Sequence, residues 1–133
     1  LPSFPTRRSS DLMDVFAFAI KQPPRSIRDL LDTFSIDLSC IDFLLLHQAN
    51  KFIDEKIRKS LKVPSEKVPY CIQDYGNVTS ASIPLTLVSQ CKETLETHDN
   101  HILACGFGIG LEWGSMEFHV GNIKCTGVIK YQS

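Results

Sequence analysis

The run from Cys40 to Leu46, apolar apart from Asp42 and bounded by polar residues, constrains this chain more than any other segment. It is short for a helix and carries no polar face, so it reads as a buried strand that ends at His47. Such a strand must be covered on both sides. The residues that follow offer one cover: Ala49, Phe52 or Ile53, Ile57 and Leu61 recur near every fourth position from Ala49 to Leu61. Lys51, Asp54, Glu55, Lys56, Arg58 and Lys59 fill the positions between them, the pattern of an amphipathic helix.

Further covers lie on either side. Val15, Phe16, Phe18, Ala19 and Ile20 form an apolar segment expected to stop at Pro23-Pro24, where a ring removes a donor and restricts its predecessor. A second helix is expected from Pro24, with Ile27, Leu30, Leu31 and Phe34 as its core-facing stripe. Downstream, Pro64 and Pro69 bracket a loop, a short strand is expected around Tyr70 to Ile72, and Asp74-Tyr75-Gly76-Asn77 carries turn chemistry. Ser80 to Thr97 reads as one helix buried on most sides, with Pro84 in its first turn or at a kink. Ile102 to Cys105 and Trp113 to Val120 read as strands flanking the glycine loop Gly106 to Gly110, and a last short strand is expected near Ile123 to Ile129. Helices alternating with strands argue an α/β fold, a mixed sheet packed against helices.

Composition excludes several function classes. The 133 residues fit one domain or part of a larger one. Fourteen Lys and Arg against fifteen Asp and Glu give a net charge of -1, so no global field points to nucleic acid or to an anionic membrane. The longest apolar runs, Val15 to Ile20 and Phe43 to Leu46, fall far short of the roughly 18 residues of a membrane span. Cys40, Cys71, Cys91, Cys105 and Cys125 are odd in number and widely spaced, which fits a reducing cytoplasm and five buried, unreactive thiols. Residues 1–12 (LPSFPTRRSSDL) have the composition of a disordered tail. One reading frame of a common DNA-sequencing adapter encodes SFPTRRSSDL, so this tail is expected to be non-native and the domain to occupy residues 13–133.

Three segments put polar or glycine residues where a buried element ends, the place where α/β sheets bind ligands. His47-Gln48-Ala49-Asn50 joins strand to helix, Gly76-Asn77-Val78-Thr79-Ser80-Ala81-Ser82 opens a nearly uncharged helix, and Gly106 to Gly110 precedes a strand. Each has a plainer reading as a structural histidine, an N-cap or a turn. The glycine loop leads into a strand and not a helix, which disfavours a dinucleotide or P-loop site. His98 and His101 read as part of a surface turn and His119 as an alternating strand residue; neither a metal nor a cofactor is expected.

Together these segments resemble the C-terminal half of beta-ketoacyl-[acyl carrier protein] synthase III, a condensing enzyme of the thiolase fold. The resemblance runs from about Met13 to His119 through MDVFAFAI, LLLHQAN, GNVTSASIP and GFGIGLEWGS, in family order and at family spacing. It implies the C-terminal half of a thiolase-like fold and a decarboxylative Claisen condensation of acyl-CoA with malonyl-acyl carrier protein. By motif position His47 and Asn77 would be catalytic, each giving an N–H to the malonyl thioester carbonyl. Phe107, Gly108 and Ile109 would form the loop that holds the acyl thioester oxygen, Ile109 standing where the family commonly has glycine. Asn50 would contact substrate. Lys51, Arg58, Lys59 and Lys62 would dock the acidic carrier protein, with Phe52 where the family often places an arginine. The family's nucleophilic cysteine lies in the N-terminal half and none of the five here matches it, so the segment alone is expected to be inactive. The full-length form is expected to be a homodimer. A non-catalytic thiolase-fold partner subunit and a polyketide-type condensing enzyme are the alternatives.

Overall fold

The structure, a computed structural model, describes residues 9–108, 110–124 and 127–129. Residues 1–8 of the N-terminal tail, Ile109 of the glycine loop and Cys125 therefore lie outside the described residues.

Helix α1 spans Ser9–Phe34 without a break, where the proline pair predicted two separate helices. Two prolines remove two N–H donors, and their rings crowd the carbonyls of Ala19 and Ile20 one turn back. Packing overrides that cost. Pro23 and Pro24 are themselves buried, and Ala19 before them enters the same core as Ile27 and Leu31 after them. Keeping one helix axis keeps all three on one face. The helix closes at Ser35, whose φ of 54° is left-handed, and Ile36 N–H returns to the Leu31 carbonyl at 2.9 Å.

A 3-10 turn at Leu38–Cys40, capped by Asp37, leads into strand β1 at Phe43–Leu46. The strand is shorter than the apolar run predicted: Cys40 lies in the turn and is exposed, not a buried hydrophobe. Helix α2, Lys51–Leu61, begins where Asn50 Oδ1 accepts the Ile53 N–H and ends at left-handed Lys62. Its buried stripe is Ile53, Ile57 and Leu61, joined by Asp54.

The strand expected at Tyr70 to Ile72 is absent; a short helix α3, Ile72–Tyr75, stands at its end. The physical reason is a tertiary contact, since the Gln48 side chain takes the Cys71 N–H that a neighbouring strand would need. The single helix expected from Ser80 to Thr97 is also divided. A 3-10 turn at Thr79–Ala81 feeds α4, Ser82–Gln90, and the chain bends at Cys91 before α5, Lys92–Thr97. Pro84 lies in the first turn of α4, where its missing N–H would have no partner in the helix. The bend brings Cys91 and Leu95 into one cluster with Leu45, Ile102 and Ala104. The fully buried stripe of α4 is Ser82 and Thr86, so burial on most sides is not what this helix shows.

Strands β2, Asp99–Gly108, and β3, Glu112–Gly121, complete a mixed sheet of order β1-β2-β3. β1 runs parallel to β2, pairing Phe43 with Ile102 and Leu46 with Cys105. β2 runs antiparallel to β3, and Asp99 pairs with Gly121, where any side chain would collide with the Asp99 backbone. The described residues of the last predicted strand, 123–124 and 127–129, are not in a strand. One face of the sheet packs Leu44, Leu46, Leu103 and Cys105 against α1 and α2. The other packs Leu45, Ile102 and Ala104 against α4 and α5. Among the described residues no helix is long and apolar enough to cross a membrane.

Candidate active site

β1 and β2, being parallel, end on the same side, and the three segments singled out in the sequence meet there. His47 follows β1, Gly106 to Gly108 close β2, and residues 76–82 arch over both from the start of α4. They enclose a cleft of about 540 Å³ lined by His47, Asn77, Thr79, Ser80, Ser82, Ile83, Gly106, Phe107 and Gly108.

His47 is held from two directions. Its ring meets Phe107 edge to face, centroids 5.3 Å apart at 86°. Its Nδ1 lies 2.9 Å from Ser82 Oγ. The Ser82 hydroxyl has one proton, and it donates that proton to the Thr79 carbonyl at 2.5 Å. Ser82 Oγ therefore receives a proton from His47, and the neutral ring carries its N–H at Nδ1. Nε2 is then the bare nitrogen. Desolvation moves the His47 pKa below its ordinary value, partly offset by the Thr79 carbonyl, so the neutral ring is the resting form.

Asn77 is set by its own loop. Gly76 takes φ 69°, which suits a residue without Cβ, and Asn77 Oδ1 accepts the Thr79 N–H at 2.9 Å. That bond orients the carboxamide and leaves the Nδ2 end to donate. Thr79 sits at φ 54°, a conformation that a β-branched residue rarely takes. The strained turn sends its N–H to Asn77 and its carbonyl to Ser82.

A buried polar network lies behind the histidine. Gln48, 1% exposed, donates from Nε2 to Thr86 Oγ1 at 2.9 Å and to the Pro69 carbonyl at 3.3 Å, while Oε1 accepts from Cys71 N–H at 2.9 Å. Thr86 passes its proton to the Ser82 carbonyl at 2.7 Å, and Cys71 Sγ lies 3.1 Å from the same hydroxyl. The sequence reading passed over Ser82, Gln48 and Thr86 as site supports. The signal available was two small polar residues four apart, Ser82 and Thr86, among the apolar residues 83–88.

Not every expected site residue joins the cleft. Asn50 caps α2 through the Ile53 N–H and is not among the lining residues. Arg58 is committed within its own helix end, with Nε and Nη2 on Glu55 at 3.0 and 2.8 Å and Nη1 on the Val63 carbonyl at 2.8 Å. Lys51, Lys59 and Lys62 are exposed. Burial pushes the thiols of Cys91 up to about 12 and Cys105 up to about 11, which disfavours the reactive thiolate at both.

The family model described as 3-Oxoacyl-[acyl-carrier-protein (ACP)] synthase III C terminal matches residues 31–120. The chain is similar to the beta-ketoacyl-[acyl-carrier-protein] synthase III of Trichodesmium erythraeum, 40% identical over 105 residues, which are 79% of this chain and 32% of that protein. The protein of the same name from Streptococcus sanguinis is 43% identical over 77% of this chain and 32% of its own length. Among solved structures, the 3-oxoacyl-(acyl-carrier protein) synthase of Burkholderia xenovorans LB400 superposes with a TM-score of 0.84 at 32% identity, covering 88% of this chain and 34% of that one. The mixed three-strand sheet with its helices matches the C-terminal half of such enzymes, and the chain spans 32% of the length of the two curated relatives.

Proposed function

The chain belongs to the 3-oxoacyl-[acyl-carrier-protein] synthase III C-terminal family, and from that membership we propose that its cleft decarboxylates a malonyl thioester during condensation with an acyl thioester. In that step the bond from the malonyl α-carbon to its carboxylate breaks and carbon dioxide leaves. The bonding pair passes into an enolate whose oxygen was the thioester carbonyl; the α-carbon then attacks the acyl carbonyl carbon, whose bond to sulfur breaks and releases the acyl-bearing thiol. Rate depends on donors aimed at that oxygen.

Asn77 and His47 are those donors in this reading. The observation that carries it is the pair bordering one cleft, with the Asn77 Nδ2 end left free by its own loop. A carboxamide and a neutral imidazole suit the task because neither brings a fixed charge to a pocket that must discharge a carboxylate. His47 needs a proton at Nε2 to donate. The ring obtains it without becoming cationic by losing the Nδ1 proton to solvent water and taking one from water at Nε2, a tautomer that the Ser82 hydroxyl holds when it turns from the Thr79 carbonyl to donate to Nδ1. Ser82 is thus a positioning residue that selects the tautomer.

Phe107 packs on the imidazole ring and, with Gly108, walls the acyl side of the cleft. The acyl-bearing thiol comes from outside the described residues of this chain, whose cleft is lined by no cysteine. Lys51, Lys59 and Lys62 are exposed and would meet an acidic carrier protein in this reading, while the Arg58 guanidinium is already bonded to Glu55 and to the Val63 carbonyl.

The test fuses this chain behind the remaining part of the Trichodesmium erythraeum relative. His47→Ala is expected to slow malonyl decarboxylation by about 10²- to 10³-fold, the usual effect of losing one oxyanion donor, with KM little changed. Unchanged decarboxylation in His47→Ala would falsify the assignment. Ser82→Ala leaves Thr79 as the sole partner of Nδ1–H and holds the ring in the non-donating tautomer. Its kcat is expected to fall while nitrogen-15 NMR of the imidazole still reports Nδ1–H.

A further inference from the structure

β2 and β3 carry a second group of chemistry-bearing side chains at the end of the sheet away from the cleft. His101 and His119 are directly opposed across the two strands, and their rings stack with centroids 4.1 Å apart at 19°. Glu117 lies two positions before His119 and so projects from the same face of the sheet. Its Oε1 is 2.5 Å from His101 Nε2 and 3.5 Å from His119 Nε2. One ligand atom from each of the three residues falls within 4.8 Å of the others. At about 3.3 Å per residue, His101 stands roughly 17 Å along β2 from Gly106, so the group has no part in the cleft.

Two stacked imidazolium ions would repel, and the carboxylate between them offsets only one of the charges. Neutral rings avoid the repulsion, and each keeps one bare ring nitrogen, the form in which imidazole binds a metal, beside a carboxylate that accepts an N–H or a cation. A divalent cation satisfies all three groups at once. Two imidazoles and one carboxylate are a donor set suited to zinc, with ligand distances near 2.0 to 2.2 Å that small side-chain shifts would reach. Side-chain exposures of 14% for His101, 27% for Glu117 and 58% for His119 leave one side open for water as a fourth ligand. Asp99 Oδ2, 4.0 Å from His119 Nδ1, is placed to take the N–H of that ring once Nε2 turns to the metal.

We propose that His101, Glu117 and His119 form a Zn²⁺ site that clamps the edge strand β3 to β2. The ligands sit on two paired strands, so their backbone positions are fixed before the metal arrives. The sequence alone hides the site, because only the antiparallel register brings residues 101 and 119 together.

The experiment uses the whole 133-residue chain, free of affinity tags and dialysed against chelator, titrated calorimetrically with zinc chloride. One equivalent is expected to bind. His119→Gln, a change at an exposed side chain, and Glu117→Gln are each expected to weaken uptake by about a hundredfold, at or beyond the loss from removing an outer-shell partner. Circular dichroism checks that the variants keep their fold. Cobalt in place of zinc should show no thiolate charge-transfer band, which separates this site from the cysteines. Zinc should slow amide exchange along β3 in the unmodified chain and not in His119→Gln. No saturable zinc uptake, uptake unaltered by His119→Gln, or a thiolate band on cobalt binding would each overturn the proposal.

Discussion

Beneath α1 and α2 the sheet buries Leu44, Leu46, Leu103 and Cys105 against Ile27, Ile53, Ile57 and Leu61. Beneath α4 and α5 it buries fewer apolar residues, and Gln48, Thr86 and Ser82 bond to one another alongside them. The first face is held by hydrocarbon contact, which is strong but has little directional preference. The second is held in part by hydrogen bonds, which fix angles as well as distances. His47 hangs from the second face. The donor role proposed for His47 depends on which nitrogen carries the proton, and neighbours that specify a direction can set it.

The sharpest way to break the comparison is on the hydrocarbon face. Leu44→Ala is expected to cost about 2 to 5 kcal/mol in urea unfolding, because Leu44 is fully buried and its neighbours cannot all collapse into the space. A loss below about 1 kcal/mol would mean that α1 and α2 do not form the main core.

Asp54 is the exception on that face. It is fully buried with neither oxygen hydrogen-bonded among the described residues, and burial, reinforced by Glu55, pushes its carboxyl up to about 7 from an ordinary value of 3.8. The folded state binds the proton more tightly than the unfolded chain does. The stabilisation from that proton is complete below pH 3.8 and is lost as pH rises to about 7. Asp54→Asn is expected to remove this fall, on the order of a few kcal/mol, in urea titrations run at pH 4, 6 and 8. An unaltered slope would show that Asp54 is not the group responsible.

On the polar face, Gln48→Ala leaves the Cys71 N–H unpaired and is expected to cost about 1 to 3 kcal/mol. Thr86→Val keeps the shape and removes the hydroxyl that Gln48 meets, at about 1 kcal/mol. The double variant should fall short of the sum by about 0.5 kcal/mol or more, since both changes break the same bond. Strict additivity would deny that the polar face works as one network.

The misread elements show where sequence logic stops. Pro23-Pro24 is a sound local stop signal, but Ala19 and Ile27 share a core only if the helix runs through it. The helix expected over residues 80–97 has no breaker near Cys91, and the bend there follows from Leu95 reaching the cluster around Ile102. By contrast α2 was readable to within two residues, because its apolar period is local. The motifs of the cleft were readable too, in LLLHQAN, GNVTSASIP and GFGIGLEWGS. Their supports, Ser82, Thr86 and Gln48, were not, since their roles depend on partners distant along the chain.

Sequence by itself determined what is local or periodic: an α/β layering, the amphipathic α2, and three segments with the residue types of a family-specific cleft. Tertiary structure alone decided what pairing and packing across the chain create. It set the proton of His47 through Ser82, withdrew Arg58 into its own helix end, buried Asp54 without a partner, and stacked His101 on His119. The reason is that burial and register depend on the distant residues that close over a position, and side-chain spacing along one strand or helix carries no record of them.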